Sequence, residues 1–106
     1  MTDEIQRELD RARKALAEKN QGMVRVCARR AAGAAIRGWM VRQSQPPAWG
    51  SSAIIQLRAV AADESLPEPV RAAAARVSTT VSQDHTVPFD ENPIVDARLI
   101  IEHFSG

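Results

Sequence analysis

The sequence predicts an all-α protein, an antiparallel up-and-down four-helix bundle with a fifth short helix. Three observations predict this fold class. Apolar residues recur every three or four positions along five segments, no segment alternates apolar and polar residues between turn dipeptides, and the connections are short. The 106 residues, 44% of them hydrophobic and 25% charged, suffice for one core and a single domain over residues 1–106. Aromatic residues make up only 4%, so Ala, Leu, Ile and Val must build that core.

The first two predicted helices occupy the N-terminal half. Thr2 is the predicted N-cap of the first helix, and Asn20 or Gly22 can take the left-handed conformation that ends it. The second helix is predicted from about Gly22 to Gln43, and Trp39 lies on its broad apolar side. The apolar seam of the first helix consists of Ile5, Leu9, Ala12 and Leu16.

Three further helices follow a Pro-Pro turn. Ser51 or Ser52 caps the third helix, Ser65 and Glu68 have the spacing of a capping box at the start of the fourth, and Asn92 caps the fifth. The predicted inward residues are Ile54, Leu57 and Ala61, with Ile55 beside them, in the third helix, Val70, Ala73, Ala74, Val77 and Val81 in the fourth, and Ile94, Ala97, Ile101 and Phe104 in the fifth.

Charge is segregated along the chain, although the net charge is only +1. Residues 19–62 contain seven basic residues and no acidic one, whereas residues 63–106 contain eight acids and three bases. On a helical wheel, the second helix places four candidate ligand-binding arginines opposite its apolar side: Arg25, Arg29, Arg30 and Arg37. Their charge can be balanced by the protein's own carboxylates in the first helix and above all the C-terminal half, or by a phosphate-bearing ligand. We expect the protein's own carboxylates to balance this charge, because no aromatic residues interleave with the arginines to stack on bases.

Four segments together carry a family resemblance: EIQRELDRARKALAEKN, MVRVCARRAAGAAIRGWM, LPEPVRAAAARV and NPIVDARLIIEHF. In this order they resemble the HEPN family, the higher-eukaryote and prokaryote nucleotide-binding helical domains. The resemblance implies a homodimer that binds nucleotide, RNA or a protein partner, in some members beside a nucleotidyltransferase. Other members of the family are ribonucleases or toxins.

The catalytic members of that family carry an Arg followed, after four to six residues, by a His. Only Arg98 and His103 have this spacing here, with Leu99 where a polar residue is expected, and they lie in the last helix rather than at the usual place of the motif. Five positions on one helix also turn two side chains about 140° apart. We therefore expect a non-catalytic HEPN-like binding or partner module. The alternatives are a ribonuclease or toxin of a toxin–antitoxin pair that uses Arg98 and His103, and a pure protein-interaction adaptor.

No further catalytic, metal or cofactor site is predicted. His85 has acidic neighbours but no second His or Cys at ligand spacing, Cys27 is expected to be a buried inert thiol, and no glycine-rich phosphate loop is present. Trp49, in the turn PPAWG, either covers the core or marks an interface. No apolar run reaches the length of about 20 residues needed to cross a membrane, the N-terminus is charged, and a single cysteine fits a reducing compartment; we expect a cytoplasmic protein.

Overall fold

A computed structural model of the chain describes residues 2–79 and 91–105. These residues form five α-helices and no strand, which confirms the predicted all-α fold class. The helices are α1 (Asp3–Ala17), α2 (Gln21–Val41), α3 (Ala53–Ala62), α4 (Glu68–Ser78) and α5 (Pro93–Ser105). None of the described helices combines the length and apolar character that crossing a membrane requires.

The longest helix, α2, is the centre of the bundle. It packs against each of the other four helices, while α3 pairs with α4 and α4 with α5. Within the described residues, α1 contacts only α2 and, to a small extent, α5. One side of the α1–α2 pair is therefore not covered by any of the other described helices, and side chains of both helices can form a surface site there.

The predicted inward residues form most of the core. In α4 and α5 every predicted inward position that the structure describes is buried, and Val81 lies outside the described residues. Two expectations are wrong. Leu16 of α1 is exposed, and Ala15 is buried in its place. In α3 the fully buried apolar residues are Leu57 and Val60, whereas Ile55 points to solvent.

Three of the predicted N-caps are confirmed. The side-chain oxygens of Thr2, Ser52 and Asn92 accept hydrogen bonds from the backbone N–H groups of Ile5 (3.3 Å), Ile55 (3.4 Å) and Ile94 (2.9 Å). Each of these bonds satisfies one of the N–H groups that a helix start leaves without an intrahelical acceptor.

Two predicted helix ends are wrong. The left-handed residue after α1 is Lys19 (φ 59°), and Asn20 instead caps α2 by accepting from the N–H of Met23 at 3.2 Å. The Ser65–Glu68 capping box is absent because α4 begins only after Pro67, and the Ser65 hydroxyl donates to Asp63 Oδ1 at 2.6 Å. In both cases a polar side chain near a helix end had two hydrogen-bond partners within reach, and the spacing alone did not choose between them.

Close approach of α2 to α3 depends on Gly33. A Cβ atom at that position would lie 2.7 Å from the Cβ of Ala53.

At the far end of α2, Trp39 stacks on Trp49 with ring centroids 5.5 Å apart, and both rings meet the buried Phe104 edge to face. Trp49 thus covers this end of the core, which is the first of the two roles expected for it.

Candidate functional site

The four arginines of α2 do not form the single exposed face that the sequence predicts. On the helix, Arg25 and Arg29 lie about 40° apart, and Arg30 and Arg37 form a second pair about 100° further round. Arg25 is only 4% exposed, Arg29 is half-buried, and burial lowers the pKa of Arg29. The two pairs therefore have different surroundings and are described separately.

Arg25 lies inside the bundle, so the expectation of an exposed ligand-binding side chain is wrong for this residue. Its Nη2 donates to the carbonyl oxygens of Arg76 and Thr79, at 2.5 and 2.8 Å. Carbonyls at a helix C-terminus lack the N–H of a following turn, so a guanidinium there completes the hydrogen bonding of α4. Burial is the main cause of the lowered pKa of Arg25, the charge of Arg29 adds to it, and that of Asp96 opposes it.

The second pair faces α1. Arg37 Nη2 lies 3.0 Å from Glu4 Oε1, and Arg30 Nη1 lies 3.9 Å from Glu8 Oε2. Glu8 also accepts a hydrogen bond from Arg11 Nη1 at 2.9 Å through its other oxygen. The counter-charges of Arg30 and Arg37 thus come from α1. The expectation that the acidic C-terminal half would supply them is wrong, because the short connection between α1 and α2 lays these two helices side by side.

Two adjoining hollows lie between α1 and α2, and we call them together the α1–α2 groove. The apolar hollow, of 320 Å³, is lined by Arg11, Lys14, Ala15, Glu18, Met23, Cys27 and Arg30. The polar hollow, of 300 Å³, is lined by Glu4, Arg7, Glu8, Arg11 and Arg30. Arg11 and Arg30 belong to both, so they stand at the junction of the two hollows.

The groove carries a surplus of positive charge. Its lining contains four basic side chains and three carboxylates, and one of the carboxylates, Glu4, is already paired with Arg37, which lies outside the lining. Within the described part of the chain, Arg7 and Lys14 form no ion pair. The groove is therefore suited to bind an anion.

Glu8 lies at the base of the polar hollow and is 5% exposed. Its Oε1 holds Arg11, whereas its Oε2 accepts no hydrogen bond from any residue that the structure describes. A buried carboxylate is retained only when nearby cations compensate its charge. Glu8 thus keeps two arginines, Arg11 and Arg30, at the junction of the hollows.

The contribution of α1 to this groove is absent from the sequence-based predictions. Those predictions treated the charges of the first helix as balanced and therefore looked for basic residues only in α2. The signal was present: Arg7, Arg11 and Lys14 are separated by four and three positions, which places them on one face of a helix. Of the four arginines predicted to bind a ligand, only Arg30 lines the groove.

The predicted catalytic pair lies on α5, and neither residue lines the α1–α2 groove. Both side chains are exposed. Arg98 lines a shallow hollow with Val95, Leu99 and Glu102, and the His103 ring meets Phe104 edge to face with centroids 4.9 Å apart. His103 does not line the hollow that contains Arg98, so a single chain does not unite the two in one site.

The remaining candidates from the sequence are Cys27 and His85. Cys27 is buried, as expected, and burial is the main cause of its raised pKa, with the charge of Glu8 second. His85 lies outside the described residues. Residues 2–79 and 91–105 contain no group of three His, Cys, Asp or Glu side chains that could hold a metal ion.

Comparisons of the chain with protein-family models, with curated proteins and with solved structures found no match.

Proposed function

We propose that the chain is a non-catalytic, HEPN-like helical binding module that holds a phosphate-bearing ligand, a nucleotide or RNA, in the α1–α2 groove. The observation that carries this proposal is the surplus of basic side chains on facing walls, with Arg7 and Lys14 on α1 and Arg30 on α2. Guanidinium groups bind phosphate oxygens through two parallel hydrogen bonds, which favours phosphate over simple anions.

Binding assays with phosphate compounds test this proposal. Inorganic pyrophosphate followed by calorimetry and a labelled single-stranded RNA followed by fluorescence anisotropy are expected to bind, more weakly at high salt. The double substitution Lys14→Glu and Arg30→Glu reverses two charges of the groove and is expected to weaken binding at least about tenfold. Arg58→Glu is the matched control, because Arg58 is exposed on α3 and does not line the groove. If neither compound binds at low salt, the pure protein-interaction adaptor replaces this proposal.

The absence of catalysis in the proposal rests on the geometry of α5. Arg98 and His103 point about 140° apart on one helix, so one chain does not bring them together. His103 also lies outside the α5 face that Val95, Arg98, Leu99 and Glu102 form, which is the face of the dimer proposed below. Incubation of the chain with single-stranded RNA tests this point directly. If the chain cleaves the RNA and His103→Ala abolishes the cleavage, the ribonuclease alternative is established and the non-catalytic module is contradicted.

We propose further that the module is a homodimer formed through the exposed face of α5. Val95, which is 60% exposed, and the half-buried Leu99 lie on this face with Arg98 and Glu102. Arg98 and Glu102 form no ion pair within the described residues. An antiparallel pairing of two α5 helices about Leu99 would bring each Arg98 beside Glu102 of the other copy and cover both apolar side chains.

Sedimentation velocity measures the oligomeric state. The wild-type chain is expected to sediment as a dimer, and Leu99→Glu as a folded monomer, since it puts a charge at the centre of the apolar face. Ile55→Glu is the matched control, because Ile55 is an exposed apolar residue on another helix. A wild-type monomer at high micromolar concentration would contradict the dimer without affecting the binding proposal.

A further inference from the structure

We infer that Glu8 determines which anions bind in the α1–α2 groove: the site accepts an oxyanion that carries a hydrogen, such as inorganic phosphate or a phosphate monoester, and rejects sulfate and phosphodiesters. This inference rests on the proposed function and adds the specificity of its site. It starts from a buried carboxylate among the arginines that would hold the anion. Glu8 is 5% exposed and lines the polar hollow together with Arg7, Arg11 and Arg30.

One oxygen of the Glu8 carboxylate has no hydrogen-bond donor. Oε1 accepts from Arg11 Nη1 at 2.9 Å, whereas Oε2 accepts no hydrogen bond from a residue that the structure describes. Arg30 Nη1 lies 3.9 Å from Oε2, which is beyond hydrogen-bonding distance. A buried carboxylate oxygen without a donor is costly, so a ligand that brings an O–H group supplies what this oxygen lacks.

Arg30 gives a ligand access to this oxygen. Its side chain is 60% exposed and lines both hollows. Because it donates no hydrogen bond to any described residue, its guanidinium can turn towards an anion in the polar hollow without breaking one. The anion then lies among Arg7, Arg11 and Arg30, with one of its own oxygens facing Oε2 of Glu8.

The charge of Glu8 decides which anions fit in that position. An oxyanion without a hydrogen brings two like charges together and is repelled, whereas one with a hydrogen donates it to the carboxylate in a strong, charge-assisted hydrogen bond. Sulfate and phosphodiesters carry no hydrogen at neutral pH. Inorganic phosphate keeps at least one, and a phosphate monoester carries one in about half of its molecules near its second pKa of about 6. An RNA is therefore expected to bind through a terminal phosphate and not through its backbone.

Calorimetric titration of the full chain with inorganic phosphate and with sulfate, at about pH 6 and equal ionic strength, tests the inference without any variant. Phosphate is expected to bind at least about thirtyfold more tightly than sulfate. Sulfate has the same tetrahedral shape and the larger negative charge at this pH, so attraction to the arginines alone would favour sulfate. Methyl phosphate is likewise expected to bind at least about tenfold more tightly than dimethyl phosphate, which has no hydrogen to donate.

Substitution of Glu8 tests whether this residue is the cause. Glu8→Gln keeps the shape of the side chain, removes the charge that repels sulfate, and adds an amide that can donate to a sulfate oxygen. The ratio of phosphate to sulfate affinity is expected to fall below about threefold. Asp10→Asn is the matched control and should keep the wild-type ratio, because Asp10 is an exposed carboxylate of α1 outside the lining. If Glu8→Gln does not fold, as judged by circular dichroism, the wild-type comparisons decide alone.

The possible outcomes separate the two proposals. Sulfate that binds as tightly as phosphate overturns the inference and leaves the phosphate-binding function standing. A folded Glu8→Gln protein with the wild-type ratio does the same, and so does dimethyl phosphate that binds as tightly as methyl phosphate. A labelled RNA should bind more tightly with a terminal phosphate than without one, and equal binding would also overturn the inference. If neither phosphate nor pyrophosphate binds at low salt, both proposals fail.

Discussion

Arg76 binds the carboxylate of Asp96 through two parallel hydrogen bonds: Nε donates to Oδ2 and Nη2 to Oδ1, both at 2.9 Å. Asp96 is 3% exposed, and this pair joins α4 to α5. The backbone carbonyl of Arg76 in turn accepts from Arg25 of α2. The end of α4 is therefore fixed to two other helices by charged hydrogen bonds. The hydrogen bonding of Arg76 to Asp96 is the main cause of the raised pKa of Arg76.

Removal of the Asp96 carboxylate is expected to destabilise the fold strongly. Asp96→Ala leaves the guanidinium of Arg76 without its partner, and breaking a buried charged pair in this way costs several kcal/mol. Since Arg76 is partly exposed and can regain water, we expect a loss of about 2–3 kcal/mol in the free energy of unfolding. Urea denaturation measures it. Glu64→Ala, at an exposed position between α3 and α4, should change stability by less than about 0.5 kcal/mol; equal effects of the two substitutions would contradict the prediction.

Substitution of Arg25 is expected to change stability and not ligand affinity. Arg25→Met retains much of the apolar stem but removes the hydrogen bonds to the carbonyls of Arg76 and Thr79. We expect the free energy of unfolding to fall by about 2 kcal/mol, the usual range for hydrogen bonds from a charged donor. Arg58→Met serves as the exposed control. A folded Arg25→Met protein that loses pyrophosphate binding would show that Arg25 belongs to the ligand site after all.

The two internal glycines of α2 are expected to respond to alanine in opposite directions. At Gly38 the nearest atom to an added Cβ is Arg42 Nη1, 3.7 Å away, so Gly38→Ala should stabilise the helix by about 0.5–1 kcal/mol. At Gly33 the added Cβ would meet Ala53 Cβ at 2.7 Å, and neither side chain can rotate away. Gly33→Ala should therefore lower stability by about 1–2 kcal/mol despite its better helix propensity. Thermal unfolding of both variants checks the pair, and stabilisation by both would mean that α2 and α3 separate easily.

The sequence predicted the helices well because apolar periodicity reports which face is buried, as at Val70 and Ala74 in α4. Helix ends were less predictable, since Asn20 suits both the end of one helix and the start of the next. The burial of Arg25 could not be predicted, because its partners are backbone carbonyls 51 and 54 residues away that carry no sequence signal. Part of the groove could be predicted. The spacing of the basic residues in α1 shows that they share one face of the helix, but the position of that face beside Arg30 depends on how α1 and α2 pack.

The Asp63 turn before α4 is expected to show a pH dependence of defined sign. The Ser65 hydroxyl and the Ser65 backbone N–H, the latter at 3.0 Å, both donate to Asp63 Oδ1. The bond from the hydroxyl is the main cause of the lowered pKa of this carboxyl, and the bond from the N–H is the second. A carboxyl whose pKa is lower in the folded than in the unfolded chain stabilises the fold above its ordinary pKa of about 3.9. That contribution is lost as the pH falls through the folded value. NMR titration should find a higher Asp63 pKa in Ser65→Ala than in the wild type, with Ser51→Ala as the control. An unchanged midpoint in Ser65→Ala would show that the hydroxyl does not hold the carboxylate in solution.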